Sequence, residues 1–203
     1  AITLFVSLEM PKEALRIKSL SRLSGVENAD ILLGKTDPQN PNGTKNRLKE
    51  AANEYKTDVA PRQIIIQGDI NTTPDRIRME VIQARQRTKA AHVVVFIDYL
   101  QIVPTDKDFQ NPRQQVDHVI RRLSNMARDL GIVIVALSSV GRHIYSDSAG
   151  TLSAFKESGS IEYFSYVAMC MIEDTDEMKP DRKGTGDFLG IFRDYQRVYV
   201  DVV

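Results

Sequence analysis

Apolar residues follow two rhythms along this chain. Short runs, ITLFVSL at 2–8, RQIIIQG at 62–68, HVVVFIDYLQIV at 92–103, IVIVALSS at 132–139 and SYVAMCMI at 165–172, alternate with stretches whose apolar positions recur every three or four residues. Unbroken Val/Ile/Phe runs suit strands buried on both faces of a parallel sheet, and the slower rhythm suits the helices that cover it. A terminal pair of strands is expected around DFLGIF and RVYVDVV. The pattern predicts an α/β fold, a mostly parallel sheet flanked by helices, forming a single domain over residues 1–203.

Two helices announce their limits. In NTTPDRIRMEVIQARQR, Thr73 can cap, Pro74 suits the first helical position, Asp75 meets the positive helix end, and Ile77, Val81 and Ala84 form a stripe. The next begins near Pro112, carries Val116, Val119, Ile120, Leu123, Met126, Ala127 and Leu130 at helical spacing, and ends at Gly131. GKTDPQNPNGT, 34–44, predicts a turn-rich connector.

The run at 92–103 ends its apolar stretch in one aspartate. Asp98 is therefore expected at the carboxyl end of a central strand, the edge where ligands bind in open α/β sheets, and a carboxylate there can reach the Mg²⁺ of a nucleotide. The alternative is that Asp98 caps the following turn.

Composition narrows the field without naming an activity. The formal net charge is zero, which argues against a strongly basic nucleic-acid module, although RIRMEVIQARQRTK, 76–89, is a local basic cluster. The single cysteine, Cys170, lies in an apolar run and is expected to be a buried thiol, so no disulfide framework exists. No run approaches the 18 or so apolar residues that span a membrane, and no signal peptide opens the chain. A cytoplasmic setting is expected, in which the sequon at Asn42 is idle.

LLGKT, 32–36, imitates the end of a phosphate-cradling GxxxxGK[ST] loop. Ala29 stands where its first glycine belongs, Asp-Ile-Leu-Leu is too bulky to cradle phosphate, and Asp37-Pro38 resists the helix that should follow. Lys35 is therefore not expected to bind phosphate.

Together, FVSLEM at 5–10, FIDYLQIV at 96–103, VIRRLSNMARDLGIVIVALSSVGR at 119–142 and LSAFKESGSIE at 152–162 resemble the carboxyl-terminal motor domain of the DnaB family, hexameric replicative helicases with a RecA-like fold. The segments fall in family order over nearly the whole chain. The resemblance implies ATP and Mg²⁺ as cofactors, with Asp98 of the Walker B segment holding the metal through water and Glu9 orienting the attacking water. Glu9 could instead cap the helix after Met10-Pro11. Tyr99 and Gln101 are expected to pack or hydrogen-bond nearby. Lys156, Glu157 and Gly159 align with the loop that follows a DNA backbone, and Arg113 joins them as a candidate DNA-binding residue; the alternative is an ordinary surface turn. The implied partners are single-stranded DNA, identical subunits in a hexameric ring, and a primase or helicase loader, with no membrane.

Departures from the family pattern matter as much. The chain opens at the strand expected after the P-loop helix, so the first core strand, the cradle and its lysine are not among these residues. Ser139 stands where the family has a nucleotide-sensing glutamine, and the paired basic residues that reach a neighbour's ATP are not cleanly present, leaving Arg193 or Arg197 as the candidate finger. Two functions follow: a piece of a replicative helicase, inactive as an isolated chain, or a catalytically dead relative that binds single-stranded DNA or helicase subunits and regulates them. RecA-type recombinases and clock-type ATPases share the fold but are not expected to carry FKESGSIE.

Overall fold

The computed structural model describes residues 1–35, 37, 39–139, 164, 165 and 167. The strands expected at 165–172 and near the terminus, with Cys170, fall outside the described residues apart from Ser165 and Val167. Among the described residues four strands form one sheet in the order β2-β1-β3-β4: β1 Ile2–Ser7, β2 Gln63–Gln67, β3 Val93–Asp98 and β4 Val133–Ala136. Every pairing is parallel. Helices α1 Lys12–Ser24, α2 Asn28–Leu32 and α3 Pro41–Glu54 connect β1 to β2; α4 Pro74–Thr88 connects β2 to β3; α5 Pro112–Leu130 connects β3 to β4.

The core lies between the sheet and α4 and α5. Ile2, Leu4 and Val6 of β1 and Val93, Val95 and Ile97 of β3 meet Ile77, Val81 and Ala84 of α4 and Val116, Val119, Ile120, Leu123 and Met126 of α5. Full burial of a Val, Leu, Ile or Met side chain contributes about 1.5–3 kcal/mol, so this layer is what positions the strands. The Asp75–Arg122 pair and the Arg78–Asp129 pair, at 3.1 Å, bridge α4 and α5 at the surface. Exposed pairs of this kind contribute roughly 0–1 kcal/mol each, well below the buried stripe.

The helix ends follow their sequence signals. Thr73 Oγ1 accepts from the Arg76 N–H at 3.3 Å, Pro74 occupies the first turn of α4, and Gly131 ends α5 in the left-handed region at φ 59°. Two expectations need correction. The connector ends at Asn40 rather than at 44, because the Asn40 side chain accepts from the Gly43 N–H at 2.9 Å and Pro41 pre-sets the helical φ of α3. The unbroken apolar run of β3 is not buried equally on both faces: Val93, Val95 and Ile97 are buried, whereas Val94 and Phe96 are half-exposed. The first three face α4 and α5; the other face carries Phe96 stacked on Phe5, ring centroids 6.2 Å apart.

Candidate functional site

Because all four strands are parallel, their carboxyl ends share one edge. From β1 the chain leaves toward β2 on one side, and from β3 it leaves toward β4 on the other. The crevice between β1 and β3 is therefore the topological switch point, where right-handed crossovers carry the two outgoing connections to opposite faces. Glu9 and Asp98 flank that crevice. Ser7 and Asp98 are register partners, and the Leu8 N–H donates to the Asp98 carbonyl at 3.0 Å, so the two strands remain paired to their last residue.

The turn that presents Glu9 is fixed from inside. Ser7 is 1% exposed, and its hydroxyl donates to the Met10 carbonyl at 2.8 Å while accepting from the Met10 N–H at 3.1 Å. Nothing in the apolar pattern marks Ser7 for this task; its spacing, a hydroxyl three residues before Met10, is the signal that could have found it. Gly68 closes the other side. Its N–H donates to the Ser7 carbonyl at 2.7 Å, and a Cβ there would lie 2.4 Å from Leu8 Cδ2.

Neither carboxylate at the crevice is used locally. The Glu9 side chain is exposed and that of Asp98 half-buried, and among the described residues neither makes a hydrogen bond or ion pair. The amino end of α1 has no side-chain cap, and the turn after Asp98 closes through the Val103 N–H to the Leu100 carbonyl at 3.2 Å. Asp98 therefore does not cap that turn, nor Glu9 that helix. Two anionic oxygens at Asp98 that meet no donor among the described residues fit a hard divalent cation such as Mg²⁺. A third carboxylate on this edge, Asp69, differs: it accepts from the Asn71 N–H and the Thr72 hydroxyl, both at 2.9 Å, and these bonds hold its carboxyl below the usual 3.8. Asp69 is spent on the turn into α4.

Gln101 ties β3 to β4 past the strand ends. Its carboxamide donates to Ser138 Oγ at 2.9 Å and the Ser139 carbonyl at 3.4 Å, and accepts from the Ser139 N–H at 3.2 Å. Below it, the Leu100 N–H donates to the Leu137 carbonyl at 2.9 Å.

A parallel sheet wound in both directions with carboxylates at its switch point is common to many nucleotide-binding proteins; comparison with known proteins separates them. The family model for the DnaB-like helicase C terminal domain matches residues 1–191. The chain belongs to this family. It is 27% identical over 186 residues to the replicative DNA helicase DnaB of Mycobacterium leprae, covering 90% of this chain and 29% of the relative. It is equally 27% identical over 176 residues to DnaB of Buchnera aphidicola, covering 84% and 36%. The chain thus spans about a third of these DnaB proteins. Among solved structures, a DnaB-like replicative helicase studied with its primase interactions superposes at TM-score 0.77 with 23% identity, over 89% of this chain and 43% of that one. A solved ATPase domain gives the same score and identity over 63% of its own length. These likenesses show the RecA-like fold.

In this DnaB-like frame, the described residues bring Glu9, Asp98 and Ser139 to one edge of the sheet, with Gln101 between the last two. Arg113 is exposed in the first turn of α5, its N–H donating to Asn111 Oδ1 at 2.9 Å. Lys156, Glu157, Gly159, Arg193 and Arg197 lie outside the described residues. Lys35 follows the short helix α2 rather than a strand and is exposed, so LLGKT is not a phosphate cradle. No described helix is long and apolar enough to cross a membrane.

Proposed function

We propose that this chain is part of the motor of an ATP-dependent, hexameric replicative DNA helicase, contributing the water-orienting and metal-side carboxylates and the loop that tracks single-stranded DNA. The observation that carries this reading is the pair of carboxylates, Glu9 just past β1 and Asp98 at the end of β3, that lack partners among the described residues at the switch point. Phosphoryl transfer is catalysed mainly by positioning and charge stabilisation, and two such side chains can serve one γ-phosphate from either side. Asp98 would hold Mg²⁺, whose charge offsets that of the phosphates. Glu9, on its exposed turn, would accept a hydrogen bond from the attacking water and orient it in line.

The triphosphate needs an anchor that these 203 residues do not contain, since no GxxxxGK[ST] occurs among them. By itself the chain therefore releases no appreciable phosphate from ATP. Ring neighbours, a primase and a cytoplasmic setting belong to the same proposal, supported by the DnaB relatives. A second reading, a DnaB-like protein that binds single-stranded DNA or helicase subunits without hydrolysis, is favoured by Ser139, whose side chain is too short to reach far from the end of β4.

Phosphate release by the full-length gene product, with and without single-stranded DNA, separates the two. The helicase reading expects DNA-stimulated release that falls at least about a hundredfold, or about 2.7 kcal/mol, in Glu9→Gln and in Asp98→Asn. Absence of any release from the full-length product supports the second reading. Clear turnover by the 203-residue chain alone, abolished by Glu9→Gln, overturns the missing anchor.

A further inference from the structure

The Gln101 clamp connects two places that the proposed mechanism leaves apart. On one side it stands on the turn that starts at Asp98, three residues further along the chain; on the other it grips the backbone of Ser139 at both its N–H and its carbonyl. Beyond Ser139 the sequence runs on to LSAFKESGSIE. The described residues resume at Phe164, which packs against the core and lies under the Arg121 guanidinium of α5, 5.6 Å from ring centroid to charge. Both described flanks of residues 140–163 are therefore held by the β3–α5 unit, one through Gln101 and the other through Arg121.

We propose that Gln101 is the positioning residue that couples the state of the nucleotide at Asp98 to the DNA-binding segment entered at Ser139, doing through the Ser139 backbone what a long side chain at that position would otherwise do. The proposal rests on the helicase reading above. Its physical basis is a short rigid path: Asp98 ends β3, residues 100–102 form a single tight turn, and the carboxamide makes three hydrogen bonds to two consecutive residues. Were Asp98 to shift on holding a metal, that turn would move with it, and a bond to both the N–H and the carbonyl of one residue would transmit translation and rotation where a single bond would allow a pivot. The path is local, and a side chain at 139 plays no part in it. Coupling of this kind is reciprocal, so DNA held beyond Ser139 biases Asp98 to the same extent that the nucleotide biases DNA affinity.

Three variants test it. Gln101→Ala removes all three bonds; Gln101→Glu keeps the acceptor for the Ser139 N–H and removes the donor; Ser138→Ala removes one partner, with that hydroxyl's own 3.4 Å bond to the Ser139 carbonyl, and leaves both Gln101 bonds to the Ser139 backbone in place. In the 203-residue chain, hydrogen exchange at the Ser139 amide should accelerate at least about tenfold in Gln101→Ala and stay near wild type in Ser138→Ala. In the full-length gene product, the ratio of DNA-stimulated to basal phosphate release should fall at least about fivefold in Gln101→Ala, less in Gln101→Glu, and little in Ser138→Ala. The shift in DNA affinity produced by Mg²⁺-ATP should shrink by the same factor. A Gln101→Ala protein whose stimulation ratio and affinity shift match wild type overturns the coupling while leaving the helicase reading intact. Unchanged exchange at Ser139 overturns the clamp itself. If the wild-type product releases no phosphate and its DNA affinity ignores Mg²⁺-ATP, the helicase reading and the coupling fall together, whatever the exchange data show.

Discussion

Ser7 and Asp98 stand opposite one another at the last rung of the β1–β3 ladder, one buried and hydrogen-bonded, the other carrying a carboxylate with no partner among the described residues. The division of labour is sharp. Ser7 supplies the shape of the edge, and Asp98 supplies its charge.

Replacing Ser7 by alanine should separate those contributions. Both bonds to Met10 are lost, leaving a donor and an acceptor beside the core, which costs about 1–2 kcal/mol in urea unfolding. The Glu9 turn then loses its brace, so in the full-length product hydrolysis should fall further than stability alone accounts for, measured where the variant is still fully folded. A variant that loses stability and keeps full turnover shows that Glu9 needs no such brace.

Gly68→Ala tests the same turn from the neighbouring strand. The new methyl meets Leu8 Cδ2 at 2.4 Å and Leu8 Cγ at 3.0 Å, so the leucine before Glu9 must rotate or the strand ends must part. Overpacking of this kind costs about 1–3 kcal/mol. Combining it with Leu8→Ala should recover part of the loss, because the clash partner is gone; a strictly additive pair rules out the clash as the cause.

Asp69 sets a pH dependence. Its folded-state value is held below the usual 3.8 first by the Asn71 N–H and next by the Thr72 hydroxyl, so the stability it contributes is complete above about pH 5 and disappears as pH falls through the lowered value. Asp69→Asn should flatten that acid limb of the unfolding midpoint against pH. An identical limb in the variant assigns acid sensitivity to other groups.

On the DNA side, Lys156→Ala should weaken single-strand binding by the assembled protein about equally for all sequences. The slope of log affinity against log salt should drop by roughly 0.7 for each phosphate that the lysine no longer neutralises. Unchanged affinity and slope would remove Lys156 from the DNA path.

For the finger, subunits carrying Arg193→Ala mixed with subunits carrying Glu9→Gln should regain part of the hydrolysis that neither shows alone, because some interfaces then hold both intact residues. If no ratio restores turnover, while the same experiment with Arg197→Ala does, the finger is Arg197.

The four described strands and the two late helices were legible in the sequence because their signals are local. Thr73-Pro74 and Gly131 mark ends through bonds within a few residues, and the α5 stripe needs only the helical period. α3 was harder, since Asn40-Pro41-Asn42-Gly43 reads as a turn until Asn40 is known to bond Gly43 and start a helix. The uneven burial of β3 depends on which layer covers each face, which the run of valines does not encode. At the site, Glu9 and Asp98 could be named from their segments, and Gln101 was expected to hydrogen-bond nearby. Its grip on Ser138 and Ser139 joins residues 37 and 38 positions apart in the chain, and no pattern at either place announces the other.

The parallel pairing of the described strands also fixes when the site can come into being as the chain is made. Ile2 faces Val93 and Thr3 faces Gln63, so β1 meets neither of its described neighbours until some sixty residues have followed it. Its apolar ITLFV run stays uncovered by them through that interval, longer still before α4 and α5 arrive to bury Leu4 and Val6. Such distant pairings fold slowly and leave sticky intermediates. Glu9 leaves the ribosome well before Asp98 and acquires that neighbour only when almost ninety further residues have been made, so a nascent chain halted before β3 should be retained by holdase chaperones rather than released.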